Sequence, residues 1–212
     1  MKRPVVIFLS VLFFLVPGIK AGSQLEKGEG ISSNEPLEID TVFRQDYRAA
    51  FEMIYAELKD IKGCNIKIKG KRLKTTMASR PTFLSFFRKK DKRRYVIVFN
   101  NDPAFEGVQL NEVPEQARIG LFAHELMHIR DYQQQNFGGL VKRGWQYLSK
   151  RGKRNLEHRI DSMTIAAGFG KNLYRWSYFV LNSSSASEEY KAFKLEIYMT
   201  PEAILDHLRL YH

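Results

Sequence analysis

The chain has 212 residues, 44% of them hydrophobic, with a formal charge of +11 and one cysteine. That length suits one domain with a sizeable core rather than two. A lone cysteine, Cys64, excludes an internal disulfide, so an exported product has to rely on packing, with or without a metal, rather than on covalent staples.

At the N-terminus Lys2 and Arg3 precede an apolar run over residues 5–16, and Pro17-Gly18 leads to the small residues Ala21, Gly22 and Ser23. The run is shorter than the roughly 20 residues of a membrane span, and the order basic, apolar, small predicts a secretory signal peptide, residues 1–21, cut near Ala21. An uncleaved N-terminal anchor is the alternative. The product is then periplasmic or extracellular. Cleavage removes Lys2, Arg3 and Lys20 and leaves about 190 residues carrying about +8. Basic runs at 67–72, 88–94 and 150–154 offer contact with an anionic envelope surface or with acidic substrates. Export, and the lack of any recognisable binding module, argue against nucleic acid as a partner.

Residues 22–38 are rich in Gly, Ser, Glu and Asn without apolar periodicity and read as a flexible linker, so the folded domain is expected over 39–212. Phe43, Tyr47, Phe51, Ile54, Leu58 and Ile61 then recur at three- and four-residue steps up to Gly63, the pattern of an amphipathic helix. Alternation over 65–69 and the β-rich run 95–99 predict two strands, and 104–110 suggests a third just before the next helix. Residues 140–153 read as a basic connector, and 183–187 as a serine-rich loop.

Chemistry concentrates between Pro114 and Gly138, where a helix bounded by Asn111-Glu112-Val113-Pro114 and Asn136-Phe137-Gly138-Gly139 contains His124-Glu125-Leu126-Met127-His128. Histidines four apart share one helical face and can share a tetrahedral zinc, while Glu125, turned about 100° round the axis, stands beside a metal-held water. Ile119, Phe122, Leu126 and Ile129 make an apolar stripe, and Ala117, Gly120 and Leu121 add little polarity, so the helix is expected to be buried nearly all round. Imidazoles and a carboxylate in such a place are costly unless a metal compensates them.

A catalytic zinc takes three protein ligands and keeps a fourth position open. Asp131 and Gln134 stand where an extended histidine pattern needs Gly and His, which excludes the metzincin arrangement. Downstream, 155–163 has the spacing of a second helix ending near Gly168 or Gly170, and it carries Glu157 and Asp161 four apart. His158, Asp161 and the upstream Cys64 are the competing third ligands.

With these motifs in view, residues 111–170 resemble the gluzincin group of zinc metallopeptidases, the thermolysin-like proteins, which pair HExxH with a later Glu-x-x-x-Asp. The resemblance implies that His124, His128 and Glu157 are ligands of one Zn2+. It makes Glu125 the catalytic carboxylate and Asp161 the partner that orients a ligand histidine. It also implies an α+β fold, in which a small mixed sheet packs on helices and the HExxH helix faces the second helix across from a sheet-edge cleft. The chain leaves little room for a separate C-terminal lobe, so substrate pockets cannot be carried over.

The expected chemistry is metal-assisted hydrolysis of a peptide or protein substrate with Glu125 as general base. Tyr174, Arg175, Tyr178, Tyr190 and His207 are candidates for the additional donor to an oxyanion, and Tyr174 and Tyr178 share a helical face with Leu181 that is expected to pack in the core. A catalytically silent, zinc-stabilised binding protein of the envelope is the alternative, and a basic adhesion protein a third reading. Thr200-Pro201-Glu202 predicts the start of a last helix.

Overall fold

The computed structural model describes residues 37–41 and 43–210. The expected signal peptide, and the linker up to residue 36, lie outside the described residues. Among the described residues no helix is long and apolar enough to cross a membrane.

The fold is α+β. Four strands, β1 (Leu37–Ile39), β2 (Asn65–Lys71), β3 (Met77–Pro81) and β4 (Arg94–Asn100), form one mixed sheet in the order β1-β2-β4-β3. β1 and β2, and β2 and β4, run parallel, whereas β3 pairs with β4 antiparallel and takes the edge. The register sets Ile66 beside Tyr95 and Ile68 beside Ile97, all buried, on one face. Lys67 and Arg94 are exposed on the other face, as alternation predicts, but Val96 and Val98 on that face are buried too, so β4 is covered on both sides. β1 takes in Leu37 and Glu38, the last two residues of the expected linker; three residues are too few to show a period.

Helix α1 (Gln45–Glu57) buries Tyr47, Phe51 and Ile54, as its spacing predicts. Phe43 and Phe51 meet Phe122 of the next helix with ring centroids 5.7 and 5.8 Å apart. That helix, α2 (Glu115–Gln134), is buried on nearly every side. Helix α5 (Gly170–Tyr178) crosses it so closely that a Cβ on Gly120 would lie 2.3 Å from the Asn172 carbonyl oxygen.

Three local expectations change. Residues 104–110 form no strand but turns and a short 3-10 helix, Leu110–Glu112. Side chains bond to their backbone instead, with Thr76 Oγ1 donating to Val108 O (2.8 Å) and Asp102 Oδ1 accepting from Ala104 N (3.1 Å), while Gln109 Nε2 reaches back to Asp102 O (2.7 Å). The missing strand is β3, whose Met-Ala-Ser-Arg-Pro sequence has no apolar alternation and is extended by pairing with β4. The basic connector is largely helical: α3 (Phe137–Gln146) is capped by Asn136 Oδ1 on Gly139 N (2.8 Å), and α4 (Lys150–Thr164) by Ser149 Oγ on Gly152 N (3.0 Å). Gly138, Gly139 and Gly144 lower the helix propensity of α3 enough to hide it.

After α4 a wider turn, Ile165–Phe169, bends at Gly168, whose φ of +93° favours glycine, and leads into α5. Helices α6 (Glu188–Ile197) and α7 (Pro201–Arg209) close the domain, each starting on a capping hydroxyl, from Ser187 and Thr200.

Candidate metal centre

Helix α2 presents His124, Glu125 and His128, and α4 presents Glu157 and Asp161 one turn apart on the face turned to α2. All five side chains are buried. Glu157 Oε2 lies 3.3 Å from His124 Nε2 and 3.2 Å from His128 Nε2. Neither contact is aligned as a hydrogen bond, and Oε2 has no hydrogen-bond partner. One ligand atom from each of the three residues lies within 4.8 Å of the others instead.

Ligand atoms at about 2.0–2.1 Å from a tetrahedral ion lie about 3.3 Å from one another. The observed separations match that spacing, so the group could hold a metal ion. Charge agrees with geometry, because three buried carboxylates, Glu125, Glu157 and Asp161, surround two imidazoles. Burial disfavours a charged His124, but Asp161 and Glu157 outweigh it and raise its pKa to about 10 in the metal-free protein. Burial likewise disfavours a charged Glu157, yet His128 and His124 hold its carboxyl well below the usual range. Buried carboxylates in this excess favour positive charge beside them, whether a proton or a cation.

Asp161 fixes the orientation of His124. Its Oδ1 lies 2.8 Å from His124 Nδ1, and its Oδ2 accepts from Met199 N at 3.0 Å. With the Nδ1 proton engaged, Nε2 is left as the metal-facing lone pair.

A cleft of about 1010 Å³ opens on this group. Glu125, His128 and Glu157 form its floor; β3, from Met77 through Pro81, lines one side, and Leu140, Phe193 and Tyr198 line others. Glu125 Oε2 is buried without a hydrogen-bond partner. Three tyrosines surround the floor. Tyr132 stacks on His128 (centroids 6.1 Å), Tyr198 meets His124 (5.7 Å), and Tyr147 donates its hydroxyl to Glu157 Oε1 (3.3 Å). Burial first, then Tyr132 and Glu157 for Tyr147 and Glu157 for Tyr198, push both phenols well above their usual pKa, so both keep their protons.

The structure thus brings together His124, Glu125, His128, Glu157 and Asp161. It separates the competitors: His158 and Cys64 are not in the ligand group. Cys64 sits half-buried in the turn after α1, where burial pushes its thiol up to about 11. Among the candidate donors Tyr190 lines the cleft, with its hydroxyl 3.0 Å from Thr76 Oγ1. Tyr174, Arg175, Tyr178 and His207 lie elsewhere: Arg175 bonds to Gln116 (3.1 Å) and His207 Nδ1 to Ala203 O (3.1 Å). Tyr178 is exposed rather than packed in the core, although Tyr174 and Leu181 pack against it. Tyr132, Tyr147 and Tyr198 were not legible as site residues, except that Tyr132 follows His128 by one helical turn on the same face.

Compared with protein-family models, curated proteins and solved structures, the chain shows no match in any of the three.

Proposed function

We propose that the protein is an exported zinc-dependent peptidase, which hydrolyses peptide bonds in a peptide or protein substrate. The observation that carries this reading is the convergence of His124, His128 and Glu157 in one buried group, of which His128 and Glu157 line the cleft together with Glu125. Two imidazoles and one carboxylate with room for a fourth ligand suit catalytic zinc better than a closed structural site. The resemblance to the gluzincins assigns the same roles to the same residues.

When bound, zinc supplies Lewis acidity, which lowers the pKa of water and polarises a carbonyl. The chain's own groups do the rest. The unpartnered Oε2 of Glu125 takes the proton from the attacking water and hands it to the leaving amine. The Tyr198 hydroxyl, held protonated by burial, lines the cleft as a donor for the oxygen that gains charge, beside the expected candidate Tyr190. β3 is an edge strand, so its outer backbone groups can bind an extended peptide as an added strand, with Pro81 lacking a donor at its end. Phe86, Leu140 and Phe193 offer apolar wall to alternate side chains of such a peptide.

The test is zinc content by elemental analysis together with casein cleavage, for wild type, Glu125→Gln and Glu157→Ala. About one zinc is expected in wild type and Glu125→Gln and much less in Glu157→Ala, with cleavage lowered about 10²–10⁴-fold in Glu125→Gln. Wild type that holds no zinc and takes none up on addition would refute the reading; zinc that binds while casein and unstructured peptides stay intact would make the protein a silent binding module.

A further inference from the structure

The chain between β3 and β4, residues 82–93, is pinned on its inner side. Ser85 Oγ accepts from Arg94 N (2.7 Å) and bonds to Thr82 Oγ1 (2.8 Å). The buried Arg93 guanidinium donates to the carbonyls of Tyr132 (3.0 Å) and Gln135 (2.7 Å), and Lys90 Nζ to that of Gln134 (2.7 Å). These are carbonyls at the end of α2, where cations are favoured.

On its outer side the same loop exposes what a folded chain ordinarily covers. Phe83, Leu84 and Phe87 are 40%, 63% and 56% exposed. Ring centroids 6.4 Å apart join Phe83 to Phe87, and 5.9 Å join Phe87 to the exposed Phe137 of α3, so the patch is continuous rather than scattered. Arg88, Lys89, Lys92 and Arg94 are exposed around it, and among the described residues none of the four has a carboxylate within ion-pair distance. Asp91 is the one acid in the run.

A partner for this face has to accept both apolar side chains and four cations. A second copy of the chain would bring a basic rim against a basic rim, and a soluble polyanion would gain nothing from Phe83, Leu84 and Phe87. A bilayer with anionic head groups satisfies both halves. We propose that this face docks the protein on an anionic lipid bilayer, with Phe83, Leu84, Phe87 and Phe137 entering the interface and Arg88, Lys89, Lys92 and Arg94 meeting head-group phosphates. Phe83 also lines the cleft, so docking brings the cleft mouth beside the bilayer. If the peptidase reading holds, segments of chain close to the membrane are the substrates within reach; the docking itself needs no metal and no activity.

The test is co-sedimentation of the full chain with vesicles of phosphatidylcholine alone or mixed with phosphatidylglycerol. Wild type is compared with the apolar variant Phe83→Ser/Leu84→Ser/Phe87→Ser and the charge variant Arg88→Gln/Lys89→Gln/Lys92→Gln/Arg94→Gln. All share residues 1–21, so any lipid affinity of that segment is common to them. Each basic residue near an anionic surface strengthens binding about fivefold, so the charge variant should bind phosphatidylglycerol vesicles on the order of several hundredfold more weakly at low salt. The apolar variant should also lose binding, and high salt should release wild type. Single Leu84→Glu, at the most exposed of the three apolar positions, repeats the test with minimal risk to folding, and an unchanged circular-dichroism spectrum and melt in each variant report an intact fold. Equal binding by all variants, or undiminished binding by the apolar variants alone, would overturn the proposal, the latter in favour of a soluble polyanion. So would a dimer, seen by light scattering without lipid, that the apolar variant abolishes.

Discussion

Asp161 satisfies a histidine and a backbone amide at once, with one carboxylate oxygen on His124 Nδ1 and the other on Met199 N. Replacing it by Asn keeps the shape but removes the charge, and offers a single acceptor oxygen where two donors now end. Outer partners of ligand histidines carry about 10–100-fold in metal affinity. Asp161→Asn should therefore weaken zinc binding by about that factor in competition with a chelating dye, and an unchanged affinity would deny it the orienting role. The spacing of four between Glu157 and Asp161 made both residues visible in the sequence, because one helical turn brings them to a single face. No such period exists for Tyr147 and Tyr198. They come from the end of α3 and the turn after α6, and meet the floor of the cleft only when four helices have packed.

Asp131 ties three helices together. Its carboxylate receives Arg143 of α3 through two nitrogens, Nε at 2.6 Å and Nη2 at 2.9 Å, and Arg159 of α4 at 3.1 Å. Because Asp131 stands three residues beyond His128, and Arg159 two beyond Glu157, this pair of contacts sets the register of α2 against α4. Asp131→Asn leaves the largely buried Arg143 guanidinium without a counter-charge, a loss of about 3–5 kcal/mol. The melting temperature should fall by roughly 6–20 °C in a chain of this length, with zinc binding weakened as α4 loosens. A melt indistinguishable from wild type would show that the ion pairs contribute nothing net. Elements with a repeating apolar face, α1, α2 and α4, were readable from the sequence. β3 and α3 were not, since one owes its extension to pairing with β4 and the other to a cap and this clamp.

For the molecule as a whole, the proposed metal, the proton and the fold would be linked through His124. In the metal-free protein its pKa rises from 6.5 to about 10, so the stability it contributes is fully present below about pH 6.5 and is lost as pH rises toward about 10. The proposed zinc would take the unprotonated imidazole and so compete with that proton. Thermal melts of chelated and zinc-loaded protein should therefore diverge between about pH 6.5 and about pH 9.5, the chelated form losing stability while the loaded form keeps it. A constant difference over that range would mean that His124 yields no proton to the metal. By itself the sequence determined the chemistry available: helical spacing makes neighbours of residues four apart, so the two histidines, Glu125 and the Glu157–Asp161 pair were committed to two helical faces before any packing. Only the tertiary structure decided that those faces meet at about 3.3 Å. It also decided that an edge strand and two remote tyrosines enclose them, and that a basic, aromatic loop stands open at the cleft mouth. The physical reason is that contacts between distant segments leave no period in the chain and depend on how the whole core packs.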